Sequence, residues 1–434
     1  MKKLIALLLA LVMVFGLVAC GAKDDAPAAD APAADAPAAD APAADAPAAD
    51  EALSGTITFT HYRSDLEPEV EAIVEAFMDE NPGVTVEIEV LADYVNAMSV
   101  RLSGEEIPDV YMIHENLTPS SNWPEVCLPL DGSEVAAKDM LKDTWTVDGH
   151  QYAISSASAV VGFYYNKPVW AAAGIEKTPT TWAEFEECLD KLSQLDGVIP
   201  LTTQYKTGWA MAQWIQYYAS ARKGSEIQTF WPETDAPFSD PAIVELMNSY
   251  RSIVDKGYCD PDLMSSDWDM QAPDFVAGKI GTYMGGSYIV STMVGLGMDQ
   301  NDIGAFALPA IGADSDNTVL LVKDYGFCVG KNTENAAAAI ALTEYLAVHF
   351  PEETNQVSGI EGSESSIAAV NEIMASGAKI MPLMPASNEF VEVNALAAID
   401  AGAFVQEYLI ADDPQTVIDT YNSTWANALA ELGK

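Results

Sequence analysis

The sequence predicts an α/β fold built around a parallel β-sheet. Two strand patterns, TITFT at 56–60 and VTVEIEV at 84–90, flank a stretch in which apolar residues recur at helical spacing. A second predicted helix, at about 93–103, leads into a third strand, PDVYMI at 108–113. Strands that alternate with helices in this way form a parallel sheet with helices packed on its faces.

The first 20 residues are predicted to be a lipoprotein signal peptide. Lys2 and Lys3 precede an unbroken apolar run of 15 residues, Leu4–Val18. This run is shorter than the roughly 20 residues of a membrane-spanning helix and is typical of a secretory signal. It ends in LVAC at 17–20, which resembles a bacterial lipobox, so we expect lipidation of Cys20. The alternative is an ordinary signal peptide with an incidental cysteine.

Residues 21–53 are predicted to form a disordered tether. The pentapeptide APAAD occurs five times in tandem between residues 26 and 50. Proline in every repeat prevents a continuous helix, and the repeat has no large apolar side chain whose burial would offset the ordering entropy. We therefore expect this segment to hold the folded body away from a membrane surface.

The folded body is strongly acidic. The chain has a formal net charge of −45, and residues 1–53 contribute only −5 of it. Nucleic acid and anionic membrane surfaces are therefore poor partners. An anionic ligand is also disfavoured, unless basic residues gather locally around its site.

The other cysteines and the histidines form no metal or redox motif. Cys127, Cys188, Cys259 and Cys328 lie too far apart in sequence for a CxxC pair. Four cysteines allow three disulfide connectivities, but isolated positions such as the one in GFCV favour buried free thiols. The histidines lack HExxH or any other ligand spacing, so we expect neither a metal nor a cofactor.

Polar residues follow the predicted strands at the positions where α/β sheets bind ligands. Such ligands lie outside the carboxyl ends of the strands. HYRSD at 61–65 follows the first strand, and HEN at 114–116 follows the third. Serines also interrupt the extended segment YAISSASAVVGFYYNK at 152–167, where we expect the chain to cross from one lobe to another.

From Thr181 onward, helical patterns dominate, with strand-like segments between them. The helical segments are WAEFEECLDKLSQL, WAMAQWIQYYASAR, PAIVELMNSYRSIVDKG and NAAAAIALTEYLAVHF, and the strand-like ones are GKIGTYMGG, IGAFALP and LLVKDYGFCVG. Asp267 and Asp269 flank Trp268 and are interpreted as helix caps, so they are left outside the predicted site.

The folded body resembles family 1 of the bacterial extracellular solute-binding proteins, the receptors of carbohydrate ABC importers, and is distantly similar to maltose-binding protein. The most specific match is YYNKPVWAAAGI followed by PTTWAEF, within 164–185. The resemblance implies a two-lobed, type II periplasmic-binding-protein-like α/β fold with three hinge crossings and a ligand cleft between the lobes. Lobe 1 is expected to comprise 54–156 and 305–350, and lobe 2 to comprise 157–304 and 351–434.

The same resemblance implies a site for an uncharged sugar, with aromatic rings against its apolar faces. Tyr288, in MGGSYIV, occupies the place of a sugar-stacking tryptophan in maltose-binding protein. Gly285 and Gly286 before it would let the backbone approach a ligand. Trp209, at the start of a predicted helix, is a second candidate. The alternative for both aromatic residues is a position in the core.

The other candidates are mainly polar groups that would bond sugar hydroxyls. The first crossing offers only serines, where the maltose receptor has a carboxylate, so the geometry of that receptor cannot be copied. The alternative for the loop residues is a solvated surface position, with an ordinary ion pair for Arg63. The predicted ligand-binding residues are His61, Arg63, Ser64, Glu115, Asn116, Ser156, Ser158, Trp209, Tyr288, Asp324, Tyr325 and Phe390.

The expected function is that of a monomeric, lipid-anchored receptor on the extracellular face of the bacterial cell membrane. It would bind a sugar or oligosaccharide, deliver it to the permease subunits of an ABC importer, and catalyse no reaction. One alternative is a lipid-anchored glycoside hydrolase, which needs two carboxylates about 5–9 Å apart. Another is a receptor for a different polar solute, such as a polyamine or a metal chelate.

Overall fold

The structure is a computed structural model that describes residues 52–91, 93–104, 106–223, 227–312 and 315–434. The predicted signal peptide, the lipidation site Cys20 and the APAAD repeats lie outside the described residues. Leu53, at the end of the predicted tether, packs against the core that begins with the first strand.

The described residues form strands of two to nine residues. They are β1 Gly55–His61, β2 Val84–Val90, β3 Val110–Ile113, β4 Thr146–Val147, β5 His150–Gln151, β6 Ile154–Ser155, β7 Ser158–Asn166, β8 Ile199–Leu201, β9 Ile280–Gly285, β10 Ile303–Phe306, β11 Thr318–Lys323, β12 Gly326–Val329 and β13 Lys379–Pro382.

Helices surround these strands. They are α1 Glu67–Glu80, α2 Tyr94–Ser103, α3 Trp123–Val126, α4 Glu134–Ala137, α5 Lys167–Ala172, α6 Trp182–Ser193, α7 Gly208–Gln213, α8 Ser220–Lys223, α9 Pro241–Asp255, α10 Trp268–Val276, α11 Tyr288–Gly295, α12 Ala336–Glu353, α13 Ala368–Met374, α14 Asn388–Ala397, α15 Ala401–Ile410 and α16 Pro414–Glu431. A π-helical turn, Trp214–Ala219, joins α7 to α8.

The first sheet has the order β2-β1-β3-β12-β6. The predicted parallel arrangement is confirmed, because β1 pairs in parallel with both β2 and β3. Helix α1 buries Val70, Ile73, Val74 and Phe77, the face that the helical spacing predicts. Strands β12 and β6 extend the sheet in antiparallel orientation. The carboxyl ends of β1 and β3 therefore meet at one edge of the sheet.

The second sheet has the order β13-β11-β7-β9-β8, and β10 also pairs with β7. The nine-residue strand β7 is central, since its first half pairs with β11 and its second half with β9 and β10. Its side chains enter two cores on opposite faces, with Phe163 on one face and Tyr164 on the other. This two-sided burial explains the almost continuous apolar character of the strand.

The division between the lobes differs from the expected one. We expected 305–350 in lobe 1, but β10 and β11 both pair with β7 in the second sheet. The return to the first sheet comes between Lys323 and Gly326, about 20 residues later than expected. The three crossings between the sheets are therefore 156–157, 324–325 and the segment from the end of α12 to the start of α13.

Within the described residues, Cys127, Cys188, Cys259 and Cys328 are free and buried. No group of metal-ligating side chains is found in the same part of the chain. None of the helices described above combines the length and the apolar character that a membrane crossing requires.

Candidate functional site

A cavity of about 480 Å³ lies where the three crossings meet. Its volume falls within the range of about 300–1,000 Å³ that small-molecule sites occupy. The lining includes four predicted site residues from both lobes and the crossings. These residues are Arg63, Ser158, Tyr288 and Asp324.

The second lobe contributes a cluster of three aromatic rings beside this cavity. The ring centroid of Trp209 lies 5.6 Å from that of Trp268 and 6.1 Å from that of Tyr288, both in edge-on geometry. Trp268 and Tyr288 are 5.9 Å apart. The cluster is not a closed core, because Trp209 remains 49% exposed. The structure thus brings together the two predicted stacking residues, Trp209 and Tyr288.

Tyr288 owes its position to the two glycines before it. A Cβ atom on Gly286 would lie 2.7 Å from Cε1 of Tyr288, and one on Gly285 would lie 2.8 Å from its hydroxyl oxygen. The glycines therefore make room for the tyrosine ring, whereas we expected them to admit a ligand. Nε2 of Gln213 donates to the Tyr288 hydroxyl over 2.8 Å, which fixes the phenol from the side of α7.

The first lobe presents its own aromatic cluster at the carboxyl ends of β1 and β3. Tyr62 lies 4.5 Å from Tyr325 and 5.8 Å from Tyr94, measured between ring centroids. His114 is 5.1 Å from Tyr325. The predicted residue Tyr325 is therefore part of a cluster whose other tyrosines sequence analysis missed. The position of Tyr62 inside HYRSD was the available signal.

Both basic residues that line the cavity are already paired with carboxylates. The Arg63 guanidinium donates to both oxygens of Asp65, over 2.9 and 2.8 Å. The Lys323 ammonium donates to Glu115. Glu115, predicted as a sugar ligand, thus neutralises a buried lysine. Asp324 has weaker partners, since the Tyr62 hydroxyl lies 3.5 Å from each of its oxygens.

His61 is a buried neutral imidazole beneath the site. Its Nδ1 accepts a hydrogen bond of 3.2 Å from the backbone N–H of Arg63. Burial, with a smaller contribution from the Arg63 charge, lowers the pKa of His61 to about 4. Burial also lowers the pKa of His114. Ser64, three residues after His61, is exposed and is not part of the cavity lining.

The remaining polar candidates hold the crossings together. Oγ of Ser156 donates to the Tyr325 carbonyl over 2.6 Å, which joins the first crossing to the second. Nδ2 of Asn116 donates to the Tyr325 hydroxyl over 2.7 Å. Ser158 lines the cavity, and its N–H donates to the Val357 carbonyl of the third crossing over 2.8 Å, whereas its hydroxyl makes only long contacts of 3.4 Å with carbonyls of that crossing.

Phe390 lies in the core of the second lobe, which differs from its predicted place in the site. Its side chain is 7% exposed and packs 5.5 Å from Trp231 and 5.9 Å from Trp425 between ring centroids. Ser387 caps α14 by accepting from the Phe390 N–H over 3.1 Å. This start of the helix turns Phe390 and Val393 inward.

Several residues of the lining were not predicted, among them polar ones from two further segments. Tyr217 enters the cavity from the π-helical turn, and Thr354, Asn355 and Gln356 enter it from the third crossing. An extra residue per turn changes which side of a helix faces inward, and such turns occur frequently at functional sites. The sequence WIQYYA itself follows an ordinary helical pattern, so it gave no signal for Tyr217.

Residues 63–349 match the family model of the bacterial extracellular solute-binding proteins. A putative binding protein of Brucella abortus is 26% identical over 237 residues, which cover 52% of this chain and 56% of that protein. The diacetylchitobiose binding protein DasA of Streptomyces coelicolor is 24% identical over 271 residues, which cover 60% of each. The chain thus spans somewhat more than half the length of these relatives.

A solved structure shares the fold over most of both chains. It is the BlMnBP1 binding protein of an ABC transporter from Bifidobacterium animalis subsp. lactis, in complex with mannobiose. It is 23% identical, with a TM-score of 0.63, and the match covers 87% of this chain and 95% of that one. The predicted two-lobed type II fold is confirmed.

Proposed function

Because this chain belongs to the bacterial extracellular solute-binding protein family, we propose that it binds a sugar or oligosaccharide between its lobes and delivers it to the permease of an ABC importer. The proposed lobes are 54–155 with 326–353, and 158–323 with 368–434. One observation carries the proposal: Tyr288 lines the cavity between these lobes and contacts the half-exposed ring of Trp209.

The aromatic residues favour a ligand with flat apolar faces. Sugar rings expose C–H groups that pack on aromatic faces, while their hydroxyls need hydrogen-bond partners. Ser158 and Asp324 line the same cavity as Tyr288 and offer hydroxyl and carboxylate oxygens. The cavity therefore combines the two kinds of surface that a saccharide presents.

The charges around the cavity favour an uncharged ligand. Asp65 neutralises Arg63, and Glu115 neutralises Lys323, so neither cation is left to balance an anionic ligand. Asp324 is a single carboxylate, which is a small counter-charge for a polyamine. Similar proteins bind neutral glycans, since DasA is named for diacetylchitobiose and BlMnBP1 was solved with mannobiose.

Contacts from both lobes would couple binding to closure. A ligand shifts an open–closed equilibrium only by its extra affinity for the closed form, so it must touch both lobes. Arg63 lines the cavity from lobe 1 and Tyr288 lines it from lobe 2, while Asp324 lies on a crossing. Hinge closure around such a ligand is the signal that a permease would recognise.

Calorimetric titration with a panel of ligands tests the binding proposal. The panel contains manno-, chito-, malto- and raffinose-type oligosaccharides, with spermidine and citrate as charged comparisons. We expect binding of at least one saccharide, with an affinity reduced at least tenfold in Trp209→Ala and in Tyr288→Ala. Val391→Ala, which changes an apolar residue 58% exposed on α14, is the matched control and should bind normally.

Three results would contradict the proposal. Binding of spermidine with no saccharide response would make the cargo a cation. Release of reducing sugar from the same glycans, abolished by Glu115→Gln, would make the protein a glycoside hydrolase. Saccharide binding that both aromatic variants leave unchanged would move the site elsewhere.

We further propose that lipidated Cys20 anchors the protein to the outer face of the cell membrane and that residues 21–53 tether it. Stable anchoring requires more than one acyl chain, which lipoprotein processing at a cysteine supplies. The wild-type protein, produced in a bacterial host, should partition into the detergent phase of Triton X-114, and Cys20→Ser should partition into the aqueous phase. Equal partitioning of the two forms would contradict the anchor.

A further inference from the structure

A buried carboxylate beneath the aromatic cluster of the second lobe has no part in the proposed ligand contacts. Asp260 is 8% exposed. Its Oδ2 accepts from the N–H and the hydroxyl of Thr203, each over 2.7 Å, and from Oγ of Ser266 over 3.0 Å. Nε2 of Gln271 donates to its other oxygen. All of these donors are uncharged.

Burial of a carboxylate without a cation lowers the stability of the fold unless several hydrogen-bond donors stabilise the charge. The donors to Asp260 come from two separate segments of the chain, 202–207 and 266–271. Thr203 belongs to the first segment, and Ser266 and Gln271 belong to the second. Asp260 is therefore the point at which these two segments are joined.

The two joined segments carry the two tryptophans of the cluster. The first segment ends at Thr207, and Trp209 follows in the first turn of α7. The second segment contains Trp268, the first residue of α10. Lys206 N–H donates to the Ser266 carbonyl over 2.8 Å, so the segments also touch through their backbones.

A direct bond connects the starts of the two helices. The Thr207 hydroxyl accepts from the Trp268 N–H over 3.0 Å. Thr207 stands in the N-cap position of α7 but makes no side-chain bond to its own helix. A threonine at this position ordinarily caps the helix that follows it. The hydroxyl is used to hold Trp268 beside Trp209.

We propose that Asp260 is a positioning residue for the proposed binding site. Its carboxylate holds segments 202–207 and 266–271 together, so that Trp209 and Trp268 form a fixed aromatic corner next to Tyr288. This inference rests on the proposed function, because the corner matters only if the rings receive a ligand. Aromatic side chains that are fixed in advance bind with less loss of conformational entropy.

Fluorine NMR of protein labelled with 5-fluorotryptophan tests the proposal without a ligand, and titration with the saccharide found in the panel tests its effect on binding. Trp209→Phe and Trp268→Phe assign the two signals. Asp260→Asn should shift or broaden both signals and weaken saccharide binding at least tenfold. Ser266→Ala, which removes one donor, should have a smaller effect of the same kind and is the second variant if Asp260→Asn does not fold.

Asp109→Asn is the matched control. Asp109 also accepts from a backbone N–H and from threonine hydroxyls, but at the amino end of β3, away from the cavity. The Asp109→Asn variant should leave both fluorine signals and the saccharide affinity unchanged. Unchanged signals in Asp260→Asn and Ser266→Ala would overturn the proposal, and so would changed signals with normal affinity. A wild-type chain that binds no saccharide would defeat the proposed function, while the fluorine signals would still decide whether Asp260 fixes the corner.

Discussion

Lys323 and Glu115 form an ion pair between the two sheets. Lys323 is the last residue of β11 in the second sheet, and Glu115 follows β3 in the first. The ammonium also donates to the Thr144 carbonyl over 3.2 Å and lies 4.0 Å from the ring centroid of Trp145. Burial lowers the pKa of Lys323, and the Glu115 carboxylate opposes that shift. The second crossing is thus fixed to the first lobe.

We expect Glu115→Ala to lower the free energy of unfolding by about 2–3 kcal/mol, because removal of one partner leaves a buried ammonium without its counter-charge. Breaking a fully buried pair costs about 3–5 kcal/mol. The Glu115 side chain is 26% exposed, so water partly screens the pair and we expect a loss below that range. Urea unfolding, followed by circular dichroism, measures the change.

The more exposed pair of Lys167 and Glu372 is the control for this prediction. Its side chains are 31% and 43% exposed, and an exposed pair contributes at most about 1 kcal/mol. Glu372→Ala should therefore change the stability little. Equal losses of unfolding free energy in Glu115→Ala and Glu372→Ala would contradict the prediction, because the pair of Lys323 and Glu115 would then stabilise the fold no more than an exposed pair does.

Gly286→Ala should weaken ligand binding at least tenfold, or about 1.4 kcal/mol. The new Cβ would lie 2.7 Å from the Tyr288 ring, so the ring must leave its position beside the cavity. Gly295→Ala, at the end of the helix α11 that Tyr288 begins, adds a methyl group with no heavy atom from outside its own helix within 4 Å. Titration of both variants with the same saccharide checks the prediction, which fails if the two bind alike.

His61 should make the protein less stable as the pH falls from about 6.5 to about 4. The pKa of His61 is about 4 in the folded state, below the ordinary value of 6.5. Between these values the unfolded chain binds more protons, so stability rises with pH through this window and is fully present above it. The loss at low pH amounts to roughly 3 kcal/mol for a shift of this size.

Denaturant unfolding at several pH values measures this effect in the wild type and in His61→Gln. The difference between the two slopes isolates His61, because the acidic groups titrate in both proteins. Ser64→Gln, which changes an exposed residue close to His61 and removes no histidine, should keep the wild-type slope. A wild-type slope in His61→Gln would contradict the prediction.

The sequence predicted the first half of lobe 1 because its elements are set by local patterns. Alternation identified β1 and β2, and spacing identified the buried face of α1. The resemblance placed 305–323 in lobe 1, and the apolar segments IGAFALP and LLV (320–322) carry no local signal of the sheet that they join. Pairing with β7, which lies more than 130 residues away in sequence, decides which sheet these segments join.

The family resemblance supplied both the aromatic candidates that lie beside the cavity and the one that packs in the core. Trp209 and Tyr288 came from the resemblance and lie together. Tyr217 reaches the cavity from a π-helical turn, which the sequence pattern does not indicate. Phe390 also came from the resemblance, but the start of α14 turns it into the core.

Substitution of Phe390 should therefore lower stability without changing ligand affinity, and substitution of Tyr288 should lower ligand affinity. Phe390→Ala removes a core side chain that packs on Trp231 and Trp425, so we expect a loss of about 3–5 kcal/mol in the free energy of unfolding and an unchanged affinity for saccharide. Tyr288→Ala should weaken binding at least tenfold. Urea unfolding and calorimetric titration of both variants give the two quantities. A large loss of affinity in Phe390→Ala, measured where that variant is folded, would return Phe390 to the binding site.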